Sequence, residues 1–166
     1  WLAIDKENRP LKREEDHNSD GKIDLILDFS NGKAIRLKQD TQLNGCFDVS
    51  QRFDDSEQVK YQEEDRDGDC NLDFWTELEN GVPIFQAEDA HGKGRPTTIT
   101  RFNRNEVITI QEHISGDTDK PDVKLFFDAN GKVRSQCLDT DSNGTLDWRY
   151  RFRDGSPYEA LIDTDR

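Results

Sequence analysis

The sequence predicts an all-β fold, an antiparallel meander of tandem β-hairpins. Three observations support this prediction. Apolar and polar residues alternate over short runs, as in β-strands with one buried face. A segment rich in Asp, Asn and Gly returns every 24 or 25 residues, starting at 16, 40, 65, 89, 114, 139 and 163. Between these segments a short turn joins two strands, so each repeat is one hairpin.

The first full repeat shows the hairpin pattern. Apolar side chains alternate along 23–29 and return along 34–39 after a three-residue turn at 30–32. We expect Leu27 to lie opposite Ile35 on the apolar face. We also expect a left-handed backbone at the last turn residue, which Gly and Asn adopt most easily. The residues at that position are Gly32, Ser56, Gly81, Asn105, Asn130 and Gly155.

We expect the whole chain, 1–166, to form one repeat array. Its parts are a partial repeat at 1–15, full repeats starting at 16, 40, 65, 89, 114 and 139, and a partial repeat at 163–166. Because the chain has no Met and opens within a predicted strand, we expect it to be a fragment of a longer protein.

The second face of the predicted sheet carries charged residues, including Arg52, Arg101, Arg149 and Glu77. This favours an elongated or curled single sheet, with a closed barrel or a sandwich as the alternative.

Composition narrows the classes of function. The chain is 31% hydrophobic and 36% charged, which suits a thin repeat fold that buries little apolar surface. A net charge of −13 argues against nucleic acid as a partner, because phosphate contacts need Lys and Arg. No apolar run is long enough for a membrane span.

Four of the repeated segments place oxygen side chains at their first, third, fifth and ninth positions. Calcium takes about six to eight oxygens, and alternate residues of a bending loop direct their side chains inward. The seventh residue adds its backbone carbonyl, and a glycine at the sixth permits the sharp bend. Cys70 replaces that glycine in the third segment. The predicted ligands are Asp16, Asn18, Asp20, Lys22, Asp24, Asp40, Gln42, Asn44, Cys46, Asp48, Asp65, Asp67, Asp69, Asn71, Asp73, Asp139, Asp141, Asn143, Thr145 and Asp147.

Two segments depart from this frame. His91 and Lys93 stand at ligand positions of the segment at 89, which we expect to be free of metal. In the segment at 114 the carboxylates of Asp117, Asp119 and Asp122 follow a shifted frame around Gly116, which suits either a cation site or a plain turn. A plain-turn interpretation also applies to all segments, because Asp, Asn and Gly form turns and acidic turns protect sheet edges.

The four regular segments are similar to the D-x-D-x-D-G-x-x-D calcium loops of many secreted and surface bacterial proteins, including dockerins and integrin-type propeller repeats. The resemblance covers about nine residues of each repeat. It implies calcium as a structural ion and an extracellular, periplasmic or cell-surface location. An EF-hand also has a bidentate Glu at the twelfth position, which is missing here, so we expect modest affinity, about 10⁻⁴ to 10⁻³ M.

The cysteine pattern leaves two alternatives open. Cys46 and Cys70 lie in consecutive loops at the same predicted sheet edge, so the first alternative is a disulfide between these two cysteines. However, two strand spacings of about 4.8 Å separate those loops, beyond disulfide reach unless the sheet curls. The spacing therefore favours free thiols, as for Cys137.

No catalytic residues are predicted. His17, His91 and His113 are the only histidines and stand far apart in sequence, and the many carboxylates single out no acid–base pair. We therefore expect no enzymatic activity, with a hydrolase as the least favoured alternative.

Three apolar residues, Trp75, Phe85 and Ile99, fall on the charged face of consecutive predicted strands. They form a candidate patch for a protein or glycan partner, unless a neighbouring segment covers them. The sequence thus predicts a calcium-stabilised interaction module, with a calcium-stiffened spacer without its own ligand as the alternative.

Overall fold

The computed structural model describes residues 1–115 and 119–162, and within these residues it contains strands and no helix. The fourteen strands are Leu2–Ile4 (β1), Pro10–Glu15 (β2), Leu25–Ser30 (β3), Lys33–Gln39 (β4), Val49–Phe53 (β5), Val59–Glu64 (β6), Phe74–Glu79 (β7), Val82–Glu88 (β8), Thr98–Phe102 (β9), Ile108–His113 (β10), Val123–Phe127 (β11), Val133–Leu138 (β12), Trp148–Arg153 (β13) and Ser156–Ile162 (β14).

The strands form a meander, because their order in the sheet is their order in the chain, with β1 and β14 at the two ends. This confirms the predicted all-β antiparallel hairpin array, and the sheet does not close into a barrel. The chain divides into two compact units, Trp1–Val82 and Pro83–Arg166. Tight turns join the strands of each hairpin, and the repeated acidic loops join one hairpin to the next.

Register within each unit aligns one residue per strand on a common face. The row in the first unit is Arg13, Leu27, Leu37, Gln51, Gln62 and Thr76. The row in the second unit is Thr100, Gln111, Leu125, Gln136, Tyr150 and Ala160. Amide side chains pair along these rows, with Gln51 Nε2 donating to Gln62 Oε1 at 2.6 Å. The face predicted to be apolar is therefore mixed.

The strand register differs from the predicted register because the hairpins have a β-bulge near the turn. Leu27 lies opposite Leu37, because the turn has two residues rather than three and the return strand carries an extra residue between Phe29↔Ala34 and Asp28↔Arg36. The extra residue is Ile35, which is 45% exposed. The same irregularity recurs in the hairpins of β1–β2, β5–β6, β9–β10, β11–β12 and β13–β14.

The hairpins have either two-residue turns or turns with one more residue. The left-handed positions were predicted correctly for the two-residue turns and wrongly for the longer ones. Consecutive positive φ angles at Asn31–Gly32, Asn80–Gly81 and Asp154–Gly155 indicate two-residue hairpin turns, which confirms the three predicted glycines. In the other turns the positive φ falls one residue later than predicted, at Glu57, Glu106 and Gly131 rather than Ser56, Asn105 and Asn130.

A side-chain hydrogen bond causes this shift. Asp54 Oδ1 accepts the N–H groups of Ser56 and Gln58, at 2.7 and 3.0 Å, so the turn closes around the aspartate with one more residue. Asp128 does the same with Asn130 and Lys132. These backbone donors, with Lys132 foremost, lower the pKa of Asp128.

The deeply buried residues are mainly polar rather than apolar. Among the described residues, the buried hydrophobic ones are Phe74, Ala87 and Ile114. The buried carboxylates are Asp24, Asp40, Asp48, Asp65, Asp89 and Asp147, all of them loop residues. The strands also bury the polar side chains of Ser50, Thr76, Thr100 and Ser135 and present mainly half-buried residues elsewhere, whereas the acidic loops are mostly exposed apart from these aspartates.

Replacement of Glu106 by Gly tests the corrected turn geometry. Glu106 has φ of 60°, a region that costs residues with a Cβ about 1 kcal/mol or more. We expect Glu106→Gly to raise the free energy of unfolding by about 0.5–1 kcal/mol, after the entropy cost of glycine. Denaturant unfolding measures this change. Asn105→Gly is the matched control, and a larger gain from Asn105→Gly than from Glu106→Gly would contradict the assigned turn.

Candidate metal centres in the repeated loops

The acidic loops share one backbone shape. We name each loop by its nine residues: 16–24, 40–48, 65–73, 89–97, 114–122 and 139–147. In five of them the fourth and sixth residues have positive φ; these pairs are Ser19 and Gly21, Leu43 and Gly45, Gly68 and Cys70, Gly92 and Gly94, and Ser142 and Gly144. The repeated bend turns the side chains of the intervening residues toward the same interior.

In the five loops that begin with aspartate, this first residue organises the bend by accepting backbone N–H groups. Asp40 accepts the N–H of Asn44 at 3.2 Å and that of Gly45 at 2.6 Å. Asp139 accepts the N–H of Asn143 at 3.3 Å and that of Gly144 at 2.6 Å. The two oxygens of one carboxylate thus fix the fifth and sixth residues of its loop.

The ninth aspartate closes the loop from the other end. Asp48 Oδ2 accepts the N–H groups of Thr41 and Gln42 at 3.0 and 3.1 Å. Asp24 does the same for His17 and Asn18, at 2.7 and 3.4 Å. Asp24 is 1% exposed, so its carboxylate is fully enclosed by its own loop.

Main-chain hydrogen bonds join consecutive loops. The N–H of Asp40 donates to the carbonyl of Asp24 at 2.8 Å, and the N–H of Asp65 donates to the carbonyl of Asp48 at 2.9 Å. Ile114 and Asp139 make the same bond to the carbonyls of Thr97 and Asp122. Within each unit, therefore, the first residue of a loop pairs directly with the ninth residue of the preceding loop, and the two loops are in contact along the sheet edge.

A side-chain contact between loops was missed by the sequence analysis. The seventh residue of a loop reaches the sixth residue of the next loop. Lys22 lies over Gly45, where its Nζ is 2.7 Å from the position of an added Cβ, and Arg95 Nη1 lies 3.9 Å from Asp119 Oδ1. Lys120 lies over Gly144 in the same way. The signal in the sequence was the recurrence of a basic residue at the seventh position.

The cysteines follow this contact rule, and the prediction that favoured free thiols for them was wrong. Cys46 is the seventh residue of its loop, Cys70 is the sixth residue of the next, and they form a disulfide with a Cα–Cα distance of 5.4 Å. The strand count gave the separation of the loop bases, but it left out the Asp65–Asp48 hydrogen bond that brings the loops together. Cys137 is free and half-buried.

Two loops bring three carboxylates together. In the 65–73 loop these are Asp65, Asp67 and Asp73, which offer one oxygen each within 4.8 Å of one another. The 139–147 loop does the same with Asp139, Asp141 and Asp147. Both groups match the first, third and ninth positions predicted from the sequence. Convergent carboxylate oxygens at this separation can hold a metal ion.

The side-chain oxygen of the fifth residue of these loops accepts a backbone N–H. Asp69 Oδ1 accepts the N–H of Asn71, and Asn143 Oδ1 accepts that of Thr145, each at 2.8 Å. Asp20 and Asn44 make the same bond to Lys22 and Cys46 at 2.8 Å, so the fifth residue fixes the seventh in all four predicted loops.

The 16–24 and 40–48 loops have the same shape, but neither has a carboxylate at the third position. Asn18 stands at the third position of the first, and its Oδ1 accepts the N–H of Asp20 at 2.9 Å. The 40–48 loop has Gln42 and Asn44 in place of carboxylates. Within the described ranges, neither loop forms a group of three carboxylates like those at 65–73 and 139–147.

The 89–97 loop forms without the predicted ligand set. Gly94 donates its N–H to Asp89 Oδ2 at 2.6 Å, and Thr97 Oγ1 accepts the N–H of Ala90 at 3.0 Å in place of a ninth aspartate. Burial raises the pKa of Asp89, but backbone donors, led by the N–H of Lys93, outweigh it and lower the pKa below its ordinary value. The loop backbone therefore does not require three carboxylates.

The 114–122 loop is described in part. Gly116 and Asp117, on which the shifted frame depended, lie outside the described residues, as does the partial repeat at 163–166. Ile114 occupies the first position and is 7% exposed, and Asp122 at the ninth accepts the N–H of Ser115.

The candidate partner residues lie on the faces predicted for them. Trp75, in the first unit, is half-buried and opposite Glu63. In the second unit Phe85 is opposite Arg101, whose guanidinium carbon is 5.2 Å from the ring centroid, and Ile99 is opposite Ala87.

No helix in the described ranges is long and apolar enough to cross a membrane.

Acid unfolding of Asp89→Asn tests the role of the first aspartate. Because its pKa is lowered from 3.8 in the folded state, the Asp89 carboxylate stabilises the fold above that value, and this contribution is lost as the pH falls through the folded pKa. We expect the variant to be less stable at neutral pH and the difference to close in acid. Urea unfolding in chelator at several pH values measures this, and a difference that is independent of pH would contradict it.

Reduction of the disulfide should destabilise the first unit. For a sequence separation of 24, chain-entropy arguments give about 3 kcal/mol. We expect a dithiol reductant to lower the free energy of unfolding by this order in the wild type and in Cys137→Ser, which keeps the disulfide. An unchanged unfolding curve after complete reduction would show that the bridge adds no stability.

No protein-family model and no curated protein matches the chain. Solved structures that match include a mutant of S. aureus TarM in complex with Fondaparinux, alpha-GlcNAc-glycerol and UDP, at TM-score 0.23 and 9% identity over 89% of this chain and 21% of that chain. TarM matches at TM-score 0.24 and 10% identity over 89% and 21%, and the GtfA/B complex at 0.24 and 12% over 98% and 24%. The chain thus spans about a fifth to a quarter of the length of these proteins. TM-scores of 0.23 and 0.24 do not indicate a shared fold.

Proposed function

We propose that the chain is a calcium-stabilised repeat module of an extracellular or cell-surface protein. The observation that carries the proposal is the pair of carboxylate triads, Asp65, Asp67, Asp73 and Asp139, Asp141, Asp147. In this role the ions neutralise the acidic loops and brace the joints between successive hairpins.

The donor set favours a hard cation such as calcium over zinc or copper. The triads offer oxygen ligands, and hard divalent cations take oxygen, whereas zinc and copper take nitrogen or sulfur. The shell has no bidentate Glu at a twelfth position, and water must complete it. Its affinity should therefore be modest, about 10⁻⁴ to 10⁻³ M, as in extracellular calcium modules.

An extracellular location agrees with the modest calcium affinity expected of these sites. Disulfides persist in oxidising compartments and are rare in the cytosol, so the Cys46–Cys70 bridge supports an exported location. Modest affinity is sufficient there, because calcium is abundant outside the cell.

An interaction role is the favoured use of such a module. The half-buried aromatic residues Trp75 and Phe85 and the half-buried Ile99 lie on the charged strand faces, where a protein or glycan partner can reach apolar surface. A calcium-stiffened spacer without its own ligand is the alternative, and it shares the same calcium dependence.

Single Asp-to-Asn replacements test the calcium sites. We expect Asp67→Asn and Asp141→Asn each to remove one site from a calorimetric calcium titration. Asn18 shows that asparagine at the third position still accepts the loop N–H, so the loop should keep its shape. Each occupied site should stabilise the fold by about 1.4 kcal/mol at calcium ten times Kd.

The matched control is Asp55→Asn, which removes one exposed carboxylate from a hairpin turn. It should leave both sites and the calcium-dependent shift in melting temperature unchanged. Failure of the wild-type protein to bind calcium at about ten times the expected Kd would rule out the proposal.

A further inference from the structure

We propose that the Cys46–Cys70 disulfide sets the cation affinity of the 65–73 loop, so that its reduction weakens this site and leaves the 139–147 site unchanged. The inference rests on the proposed function, because it concerns the regulation of one of the two calcium sites. Three observations carry it: the backbone at Cys70, the hydrogen bond from Cys70 to Asp65, and the link to the preceding loop.

The backbone at Cys70 is the first observation. Cys70 has φ of 73° at the sixth loop position, where the 16–24, 40–48, 89–97 and 139–147 loops have glycine. A residue with a Cβ is disfavoured in this conformation, whereas glycine adopts it freely. The 65–73 loop therefore depends on another constraint to keep the bend that its neighbours obtain from glycine.

The hydrogen bond from Cys70 connects that backbone to the metal triad. The N–H of Cys70 donates to Asp65 Oδ2 at 2.8 Å, and the N–H of Gly68 donates to Asp65 Oδ1 at 2.7 Å. Asp65 is 7% exposed and is the first carboxylate of the triad. A change in the backbone at Cys70 would therefore move or release a ligand carboxylate.

The disulfide supplies the missing constraint from the preceding loop. At the equivalent place three other loop pairs have a lysine or arginine side chain, namely Lys22, Arg95 and Lys120, and these contacts are not covalent. The bridge ties Cys70 to Cys46, whose own N–H is fixed by Asn44 at 2.8 Å. Reduction would leave the two loops joined at this edge by the Asp65–Asp48 main-chain bond.

The redox step is ordinary thiol–disulfide exchange. A thiolate of a small dithiol attacks one cysteine sulfur, the S–S bond breaks and a mixed disulfide forms. The other cysteine leaves as a thiolate in that step. The second thiol of the reductant then attacks the mixed disulfide and releases the first cysteine, so that two cysteine thiols and one oxidised dithiol result. Cys70 is exposed and Cys46 half-buried, so a dithiol can reach the bridge.

Two single-site backgrounds separate this inference from the proposed function. Asp141→Asn retains the 65–73 site, and Asp67→Asn retains the 139–147 site. We expect treatment with dithiothreitol to raise the calcium Kd of Asp141→Asn about tenfold, because site rigidity tunes affinity, and to leave that of Asp67→Asn unchanged. Calorimetry with calcium chloride measures both.

The outcomes are distinguishable. An unchanged Kd in reduced Asp141→Asn overturns the redox inference and leaves the proposed function intact. An equal loss in both backgrounds also overturns it, because general destabilisation would then explain the effect. Absence of calcium binding in both oxidised backgrounds overturns the proposed function and this inference together.

Cysteine replacements test the mechanism without reductant. In the Asp141→Asn background, Cys46→Ser with Cys70→Ser should bind calcium as weakly as the reduced protein. Cys46→Ser with Cys70→Gly should recover most of the oxidised affinity, because glycine restores the bend that the other loops use. Equal weakness of the two variants would show that the backbone at position 70 does not set the affinity. Circular dichroism confirms that each variant remains folded.

Discussion

The hydrogen bond from a loop N–H to an aspartate carboxylate is the interaction on which the rest of the structure depends. The first and ninth aspartates enclose each regular loop from both ends, as Asp40 and Asp48 do in the second repeat. A buried polar group must be paired, and here carboxylates and backbone amides pair with each other. These bonds fix the positions from which the next hairpin starts, so strand register follows from loop geometry.

The same bonds explain how a chain with so little buried apolar surface keeps one sheet. Strand residues such as Leu27 and Leu37 are half-buried, whereas Asp24 and Asp40 are almost completely buried. Cations over aromatic rings cover further apolar surface, as Arg66 does over Phe74 at 3.2 Å from the ring centroid. Shielding is thus supplied locally, repeat by repeat, rather than by a common core.

The sequence was sufficient to predict the repeat, the hairpins and the carboxylates that converge in the 65–73 and 139–147 loops, because each depends on local spacing and on period-two alternation. The pairing of Leu27 could not be predicted, since the bulge at Ile35 leaves no mark in the alternation. The left-handed backbone at Glu106 also could not be predicted, because the hydrogen bond that Asn103 Oδ1 accepts from the N–H of Asn105 determines it, rather than the preference of Glu. The disulfide required knowledge of how consecutive loops touch, which is a tertiary property.

Within each unit, the bond from the N–H of a loop's first residue to the carbonyl of the preceding loop's ninth residue has an evolutionary consequence. An extra residue in a hairpin turn is absorbed there, as in the repeat of 25 residues whose turn closes around Asp54, but an insertion inside an acidic loop would bring the wrong residue to that bond. Gain or loss of a complete repeat would preserve every joint. Related chains should therefore differ in length by quantised steps of one repeat, as expected when an ancestral gene grows by tandem duplication.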